Sequence, residues 1–353
     1  MKILFQIPAI FLVIISLMSN NLYAQSVGLC NYDLVNATTI NDIPNDLSGI
    51  TYNPLANTLF MVQNGDPTVY ETDLSGNVLR EIELKNFEDT EGIVHITGTR
   101  FAVVEERRGK VIFFDISSNT NSVNYNNTDK VTLASSLGPW GGNTGLEGIT
   151  YYPLAAKILT VKEKTPKRYY DFSMPTSFPV TLSASEVGVV CDLTQNPFGF
   201  SDVAGIHHLG LSGATDPTTG THTLLLSEEN RVLVEVDADC HEISRLSFSY
   251  INQPEGVTMD NNGTIYIVAE PNELYVFNST STANCSCPLN LSIPDIPIED
   301  GVYRVGETIY STGMVAPGGD VGFEAGNTII LNEGFSIEPQ AAFSAEIEEC
   351  DGN

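Results

Sequence analysis

Five short phrases along the chain resemble one another, and in each of them a glycine is followed by isoleucine or valine. The phrases are centred on these glycines: Gly49, Gly92, Gly148, Gly205 and Gly256. Successive glycines stand 43, 56, 57 and 51 residues apart. Each phrase is followed by two further short apolar runs, separated by turn signals such as Asn-Gly and Ser-Gly, which is typical of strands joined by hairpins. A repeat of this length with three or four strands predicts the blades of a β-propeller.

The number of repeats predicts an all-β chain whose main body, residues 25–284, is a β-propeller of about five blades. The last repeat supplies three clear strands, and the stretch Tyr32–Ile40 before the first repeat has the pattern of one more. In a closed ring this early strand would complete the last blade. A sixth, degenerate blade within residues 172–200 is the alternative.

Acidic side chains recur at two positions of the repeat. The first strand of a blade lines the axis and the second runs back beside it, so the start of one and the end of the other lie at the same end of the propeller. These acidic residues are therefore predicted to face one mouth: Asp89, Glu91, Glu106, Glu147, Glu163, Asp202, Glu228, Glu255 and Glu270. Clustered carboxylate oxygens suit Ca²⁺. In the alternative interpretation they cap strands or pair with the neighbouring basic residues Arg107, Arg108, Lys162 and Lys164.

Three of these phrases and one stretch of the second apolar run of the fourth repeat resemble the SdiA-regulated family of bacterial propellers over roughly residues 40–280. They are Asp89-Thr-Glu-Gly-Ile93, Gly145-Leu-Glu-Gly-Ile149, Leu225-Leu-Ser-Glu-Glu229 and Gln253-Pro-Glu-Gly-Val257. The resemblance implies an exported or envelope-associated propeller and says little about activity. Ser48 and Ala204 stand where other repeats have glutamate. This departure predicts a lopsided site nearest Glu91, Glu147 and Glu255.

The N-terminus predicts export. A basic start, an apolar stretch and a small residue at Ala24 are typical of a signal peptide over residues 1–24. An uncleaved membrane anchor is the alternative, although the apolar run is shorter than the roughly 20 residues that a spanning helix needs. We expect no transmembrane segment after cleavage and a final location in the periplasm, at the envelope surface or outside the cell. A formal net charge of −28 argues against nucleic acid as a partner.

Six cysteines follow the predicted signal peptide, and an even number in an oxidising compartment indicates disulfides. Ring closure would bring Cys30, before the early strand, close to Cys285, after the last blade. Three bridges are predicted on this basis: Cys30–Cys285, Cys191–Cys240 and Cys287–Cys350. An exchange of Cys285 and Cys287 is the main alternative.

The chain changes character from residue 285 onward. Short alternating strands with glycines follow a proline-punctuated linker, as in Ala325-Gly-Asn-Thr-Ile-Ile-Leu-Asn-Glu-Gly-Phe335. Residues 285–353 resemble the three-coat-hanger stack module of secreted bacterial proteins. The resemblance implies a spacer or attachment domain.

Three functional hypotheses fit these features. The first is a binding propeller that holds Ca²⁺ and recognises a small ligand or an envelope partner at the acidic mouth. The second is a Ca²⁺-dependent hydrolase of a lactone, ester or phosphoester, with His95, His207 or His208 as base. The third is an adhesin attached through the C-terminal module. The sequence contains no Gly-x-Ser-x-Gly motif, which favours binding over catalysis. It also contains no basic cluster suited to gripping a phosphate, which argues against the phosphoesterase version of the hydrolase hypothesis.

Overall fold

The computed structural model describes residues 26–195, 198–210, 222–280, 290–294, 296–298 and 301–347. In these residues the regular structure consists of strands and of 3₁₀ helices of three residues each, which confirms the predicted all-β class. The 3₁₀ helices are Leu29–Asn31, Glu106–Arg108, Tyr125–Asn127, Ser135–Leu137 and Leu193–Gln195. No helix in the described part is long and apolar enough to cross a membrane. The predicted signal peptide lies outside the described residues.

The strands of residues 32–279 form five antiparallel blades. The first strand of the chain is β1 (Tyr32–Thr39). Blade I contains β2 (Leu47–Asn53), β3 (Thr58–Gln63), β4 (Thr68–Thr72) and β5 (Val78–Lys85). Blade II contains β6 (Thr90–Thr97), β7 (Arg100–Glu105) and β8 (Lys110–Asp115) and, after the short β9 (Ser122–Asn124), β10 (Asp129–Leu133). Blade III contains β11 (Leu146–Tyr152), β12 (Lys157–Lys162) and β13 (Arg168–Ser173) and, after β14 (Val180–Leu182), β15 (Gly188–Cys191).

The last two blades complete the ring. Blade IV contains β16 (Gly205–Leu209), β17 (His222–Ser227), β18 (Val232–Val236) and β19 (Glu242–Ser247). Blade V contains β20 (Pro254–Met259), β21 (Ile265–Ala269) and β22 (Glu273–Ser279), with β1 as its outermost strand. Strand β1 runs antiparallel to β22, from Tyr32 opposite Ser279 to Thr39 opposite Glu273. The predicted pairing of the two ends of the propeller is confirmed.

The described residues of the range 172–200 do not form a sixth blade. They supply β14, which pairs in parallel with β10 at the outer edge of blade II, and β15, which closes blade III beside β13. Strand β9 extends blade I in the same way by pairing with β5. These additional strands shield blade edges that would otherwise expose unpaired backbone groups.

The repeat glycines have a common steric cause. A Cβ on Gly49 would lie 2.3 Å from the carbonyl oxygen of Glu91 in blade II, and a Cβ on Gly256 would lie 2.9 Å from the backbone nitrogen of Ile50 in blade I. Equivalent contacts occur at the other three repeat glycines, so they run from blade to blade around the axis. The five inner strands therefore approach too closely for any side chain at this level. The cavity left between them is only about 10 Å³. This ring of glycines therefore separates the two mouths of the propeller.

One predicted disulfide is present in the described residues. Cys191 of β15 and Cys240, in the hairpin between β18 and β19, link blades III and IV with a Cα–Cα distance of 5.7 Å. Cys30 is also disulfide-bonded, and its partner lies outside the described residues. The predicted bridges Cys30–Cys285 and Cys287–Cys350 therefore involve cysteines outside the described part of the chain.

The C-terminal residues form a small parallel β module. Its strands are β23 (Asn290–Ile293), β24 (Gly301–Val305), β25 (Thr308–Ser311), β26 (Met314–Val315), β27 (Asp320–Ala325), β28 (Thr328–Leu331), β29 (Ser336–Ile337) and β30 (Ala342–Ile347). They form three sheets, β23-β25-β28, β24-β27-β30 and β26-β29. Partner residues are 18 to 22 positions apart, so each turn of the chain adds one strand to each sheet, as in a three-sided coil. The resemblance to a coat-hanger stack stays a prediction.

Candidate metal centre

The predicted acidic side chains converge at one mouth of the propeller. A depression of about 190 Å³ there is lined by eight carboxylates: Glu91, Glu106, Glu147, Glu163, Asp202, Glu228, Glu255 and Glu270. Asp89 lies beside them. The strand starts and strand ends of all five blades thus meet at the end of the axis that the repeat predicted, and we refer to this depression as the acidic mouth.

A β-bulge aims the inner glutamates at the acidic mouth. In blades I and V the pairing of the first two strands skips the residue just before the repeat glycine, and in blades II and III it skips both that glycine and the residue just before it. That residue is Glu91, Glu147 or Glu255 in three of these blades and Ser48 in blade I. A bulge leaves a residue unpaired and redirects its side chain. Blade IV has no such shift, and Ala204 occupies the equivalent position.

Left-handed backbone conformations precede three of the bulges. Asp46, Asp89 and Gln253, each three residues before a repeat glycine, have φ values of 54°, 55° and 44°. Residues other than glycine adopt this region at a cost of about 1 kcal/mol or more. The same strained position in blades I, II and V indicates that the fold maintains a turn which presents side chains at the mouth.

Two triads of carboxylates share Glu106. Oxygens of Asp89, Glu91 and Glu106 lie within 4.8 Å of one another, and so do oxygens of Glu106, Glu147 and Glu163. Glu106 is 2% exposed and begins the 3₁₀ helix Glu106–Arg108. Its Oε1 accepts a hydrogen bond from the backbone N–H of Gly145 at 3.0 Å. This bond positions the shared carboxylate between blades II and III.

Two basic residues partly neutralise the triads. Arg107 Nη1 lies 2.6 Å from Asp89 Oδ1, and Arg107 Nε lies 3.7 Å from Glu106 Oε2. Lys164 Nζ lies 2.6 Å from Glu163 Oε1. The alternative expectation of ion pairing is therefore met by Arg107 and Lys164.

Lys162 and Arg108, the other two basic residues of the ion-pairing alternative, have partners outside the two triads. Lys162 Nζ donates hydrogen bonds to the backbone carbonyls of Thr144 and Lys164. Arg108 forms an ion pair with Glu88, which is not a residue of the acidic mouth. The negative charge of the mouth consequently exceeds the positive charge that the described residues bring to it.

Each triad contains a buried oxygen that lacks a partner. Asp89 Oδ2 and Glu163 Oε2 are inaccessible to solvent, and no hydrogen-bond donor reaches either of them within the described residues. A buried carboxylate oxygen without a donor is costly unless a cation or a proton satisfies it. A cation or a proton at these two atoms would satisfy them.

Burial and mutual repulsion raise the proton affinity of the mouth. Burial, together with the nearby Asp89 carboxylate, raises the pKa of Glu91 to about 8 and that of Glu106 to about 7. Burial and the surrounding carboxylates raise the pKa of Glu147 and of Glu255 well above the usual range. Burial likewise raises the pKa values of Glu163, Glu228 and Glu270. A cation bound here would favour the ionised forms and reverse these shifts.

Some predicted ligands have other partners. Asp202 Oδ1 accepts a hydrogen bond from Ser227 Oγ at 2.5 Å, and its Oδ2 accepts one from the backbone N–H of Glu229 at 3.1 Å, so this carboxylate acts as a turn cap. Glu270 accepts a hydrogen bond from Gln253. Glu255 lies outside both triads, so the lopsided site is centred on blades II and III.

The mouth also contains an amide that the repeat did not indicate. Asn143 lines it from the loop before β11. No strand pattern surrounds this residue, so only its glycine-rich setting could have suggested a loop at the rim.

The structure does not bring the candidate histidines to the carboxylates. His95, His207 and His208 line a separate funnel at the opposite end of the axis, beyond the ring of glycines. Each of them follows its repeat glycine, whereas the inner glutamates precede it. The histidine base of the hydrolase hypothesis is therefore separated from the acidic mouth.

Several solved structures match this chain at low similarity. A luciferin-regenerating enzyme is 12% identical, with 70% of this chain and 96% of that chain covered and a TM-score of 0.46. A streptogramin B lyase is 13% identical, with 72% and 99% covered and a TM-score of 0.39. A protein of unknown function from Bacteroides thetaiotaomicron is 15% identical, with 67% and 59% covered and a TM-score of 0.40.

A family model provides the assignment. The model described as SdiA-regulated matches residues 24–278, which include every carboxylate of the acidic mouth and all five blades except Ser279, the last residue of β22. The resemblance of the Glu-Gly-Ile phrases is thereby confirmed, and the chain belongs to the SdiA-regulated family.

Proposed function

We propose that this protein is an exported binding propeller that holds Ca²⁺ in the acidic mouth and uses it to recognise a ligand or an envelope partner. The observation that carries the proposal is the pair of buried, unpartnered oxygens, Asp89 Oδ2 and Glu163 Oε2. One belongs to each of the triads that share Glu106. A cation in either triad would offset the unpartnered carboxylate of that triad.

The charge balance supports a cation of more than one positive charge. Eight carboxylates line the mouth, and Arg107 is the one basic side chain among the described residues lining it. Burying ionised carboxylates without counter-charge is unfavourable, and a divalent ion offsets two of them at once.

The donor atoms support calcium among divalent ions. The described side chains that line the mouth offer carboxylate and amide oxygens, with no histidine or cysteine among them. Ca²⁺ accepts six to eight such oxygens in irregular geometry, whereas zinc and copper prefer nitrogen or sulfur ligands. An ion at an open mouth keeps coordination positions for oxygen atoms of a ligand.

Two features support the cellular setting of the proposal. The Cys191–Cys240 disulfide joins two blades, and stable disulfides form in oxidising compartments outside the cytosol. The predicted signal peptide leads to the same conclusion. No specific observation favours the adhesin hypothesis, and the separated histidines weaken the hydrolase hypothesis.

Calorimetric titration with CaCl₂ after treatment with chelator tests the proposal. Glu106→Gln preserves the shape of the side chain and removes the carboxylate common to both triads. We expect it to weaken calcium binding about a hundredfold, or about 2.7 kcal/mol. Glu81→Gln, an exposed glutamate of β5, is the matched control and should bind as the wild type does. Equal calcium affinity in the Glu106 variant and the wild type, or no calcium binding by the wild type, contradicts the proposal.

A further inference from the structure

The mouth opposite the carboxylates is a second concave site. Its volume is about 870 Å³, within the range of pockets that hold small molecules. It is lined by the far ends of the inner strands and by the loops that follow them. The ring of glycines separates it from the acidic mouth, so the two sites are structurally independent. We refer to it as the funnel.

The floor of the funnel is polar and rigidly held. Thr51 Oγ1 accepts a hydrogen bond from the backbone N–H of His95 in the next blade, at 3.1 Å. Thr150 Oγ1 accepts one from the backbone N–H of His208, also at 3.1 Å. Thr258 Oγ1 accepts the backbone N–H of Tyr52 across the join between blades V and I. These bonds fix the three oxygens. In the described part of the chain no acceptor engages the Thr51 or Thr150 hydroxyl, so each can donate its own proton to a ligand.

The walls of the funnel are aromatic and apolar. Blades I and III carry the same pattern, Thr51-Tyr-Asn-Pro-Leu-Ala56 and Thr150-Tyr-Tyr-Pro-Leu-Ala155. Its tyrosine and proline line the funnel from both blades. Leu55, at the rim, is 72% exposed. Forming a turn does not require a tyrosine or an exposed leucine at these positions. The two tyrosine rings, one on each blade, offer flat faces that suit a ring-shaped ligand.

The described residues that line the funnel bring almost no net charge to it. No lysine or arginine is present among its described lining residues, and Asp260 is the one carboxylate. Both oxygens of Asp260 are occupied, Oδ1 by the backbone N–H groups of Asn262 and Thr264 and Oδ2 by the hydroxyl of Tyr266. Burial lowers the pKa of His207 to about 4, so its imidazole is neutral at pH 7. An ionic ligand of either sign would be buried here without a counter-charge, which is unfavourable.

From this chemistry we infer that the funnel binds an uncharged carbohydrate of one to a few sugar rings. The apolar C–H face of a pyranose would pack on the tyrosine and proline walls. Its hydroxyl and ring oxygens would meet the threonine hydroxyls and the neutral imidazole of His207 on the floor. This site and its ligand class are independent of the calcium site of the acidic mouth.

The test uses neutral p-nitrophenyl hexopyranosides as probes, measured by saturation-transfer NMR and calorimetry. At least one should bind saturably with a Kd in the millimolar range or tighter, and its counterpart oxidised to the uronic acid at C6 should bind at least tenfold more weakly. Leu55→Ala should weaken binding about threefold, and Tyr151→Leu about tenfold or more. Leu79→Ala, which truncates an exposed leucine (57%) on the outer strand β5, is the matched control and should leave binding unchanged.

Three outcomes would overturn the inference: no probe binds, the uronic acid binds as well as the neutral sugar, or both funnel variants bind like the wild type. Thermal melts of each variant distinguish lost binding from lost folding. All titrations are run with and without chelator. Sugar binding that persists in chelator supports the funnel even if the calcium proposal fails, whereas sugar binding that requires calcium places the sugar at the acidic mouth and refutes the inference.

Discussion

Calcium binding at the acidic mouth should weaken steeply as the pH falls from 8 to 6. The ion requires Glu91 and Glu106 in their ionised forms, and burial raises their pKa values to about 8 and about 7. At pH 8 about half of Glu91 and nine-tenths of Glu106 are ionised, and at pH 6 about one-hundredth and one-tenth. The fraction of protein with both groups ionised therefore falls about 500-fold, and the apparent affinity should fall by the same factor.

Glu106→Gln provides an internal check on this calculation. In the triad of Asp89, Glu91 and Glu106 the Glu91 proton then remains to be displaced. Because the Glu106 charge contributes to the raised pKa of Glu91, the affinity of the variant should fall by less than about 50-fold over the same pH range. The assay is calorimetric titration with CaCl₂ at half-unit steps of pH, in two buffers of different ionisation enthalpy to count the released protons. A calcium affinity that is constant between pH 6 and 8, or a binding reaction that releases no protons, would refute the assignment of these carboxylates as ligands.

The same pKa shifts predict how stability changes without calcium. Between the ordinary glutamate pKa of 4.5 and the raised values, the folded protein binds more protons than the unfolded chain. The free energy of unfolding of the calcium-free protein should therefore decrease as the pH rises from about 5 to 8. Saturating calcium favours the ionised carboxylates, so the calcium-induced rise in melting temperature should be larger at pH 8 than at pH 6.

Two further predictions concern the architecture. Gly92→Ala should destabilise the propeller by about 3 kcal/mol in a denaturant titration, because its Cβ would lie 2.5 Å from the carbonyl oxygen of Glu147. The control Gly141→Ala should be nearly neutral, because no atom lies within 4 Å of its added Cβ. Equal stability of the two variants would contradict the packing argument. Replacing Cys191 and Cys240 together with alanine should cost about 4 kcal/mol, because their bridge closes a sequence separation of 49 residues. Unfolding at an unchanged urea midpoint would show that the bridge contributes nothing.

Much of the fold was predictable because the same steric requirement recurs in every repeat. Every blade brings its first strand against the next at the axis, so every repeat needs a glycine there, and the five glycines count the blades. The strand before the first repeat had one available partner, the open edge of the last blade, and β1 pairs there. Residues 172–200 were ambiguous because short edge strands have the same local pattern whether they extend a blade or start one.

The position of the histidines was also available from the pattern. Glu91 precedes Gly92 and His95 follows it by three residues, and a strand rises about 3.3 Å per residue. The two side chains therefore lie toward opposite ends of β6. The hydrolase hypothesis placed them together because it considered residue types without their order along the strand.

The sequence alone predicted a ring of about five blades with its carboxylates at one mouth, since both properties depend on spacing within a repeat, and the pairing of β14 and β15 excluded the sixth blade. Only the tertiary structure decided which carboxylates lie close together. Glu106 belongs to both triads and Glu255 to neither, because those distances depend on how neighbouring blades pack and where bulges turn the side chains. The ion pairs of Arg107 and Lys164 likewise leave Asp89 Oδ2 and Glu163 Oε2 without partners. Spacing along the chain carries no information about distances between blades, and metal sites depend on those distances.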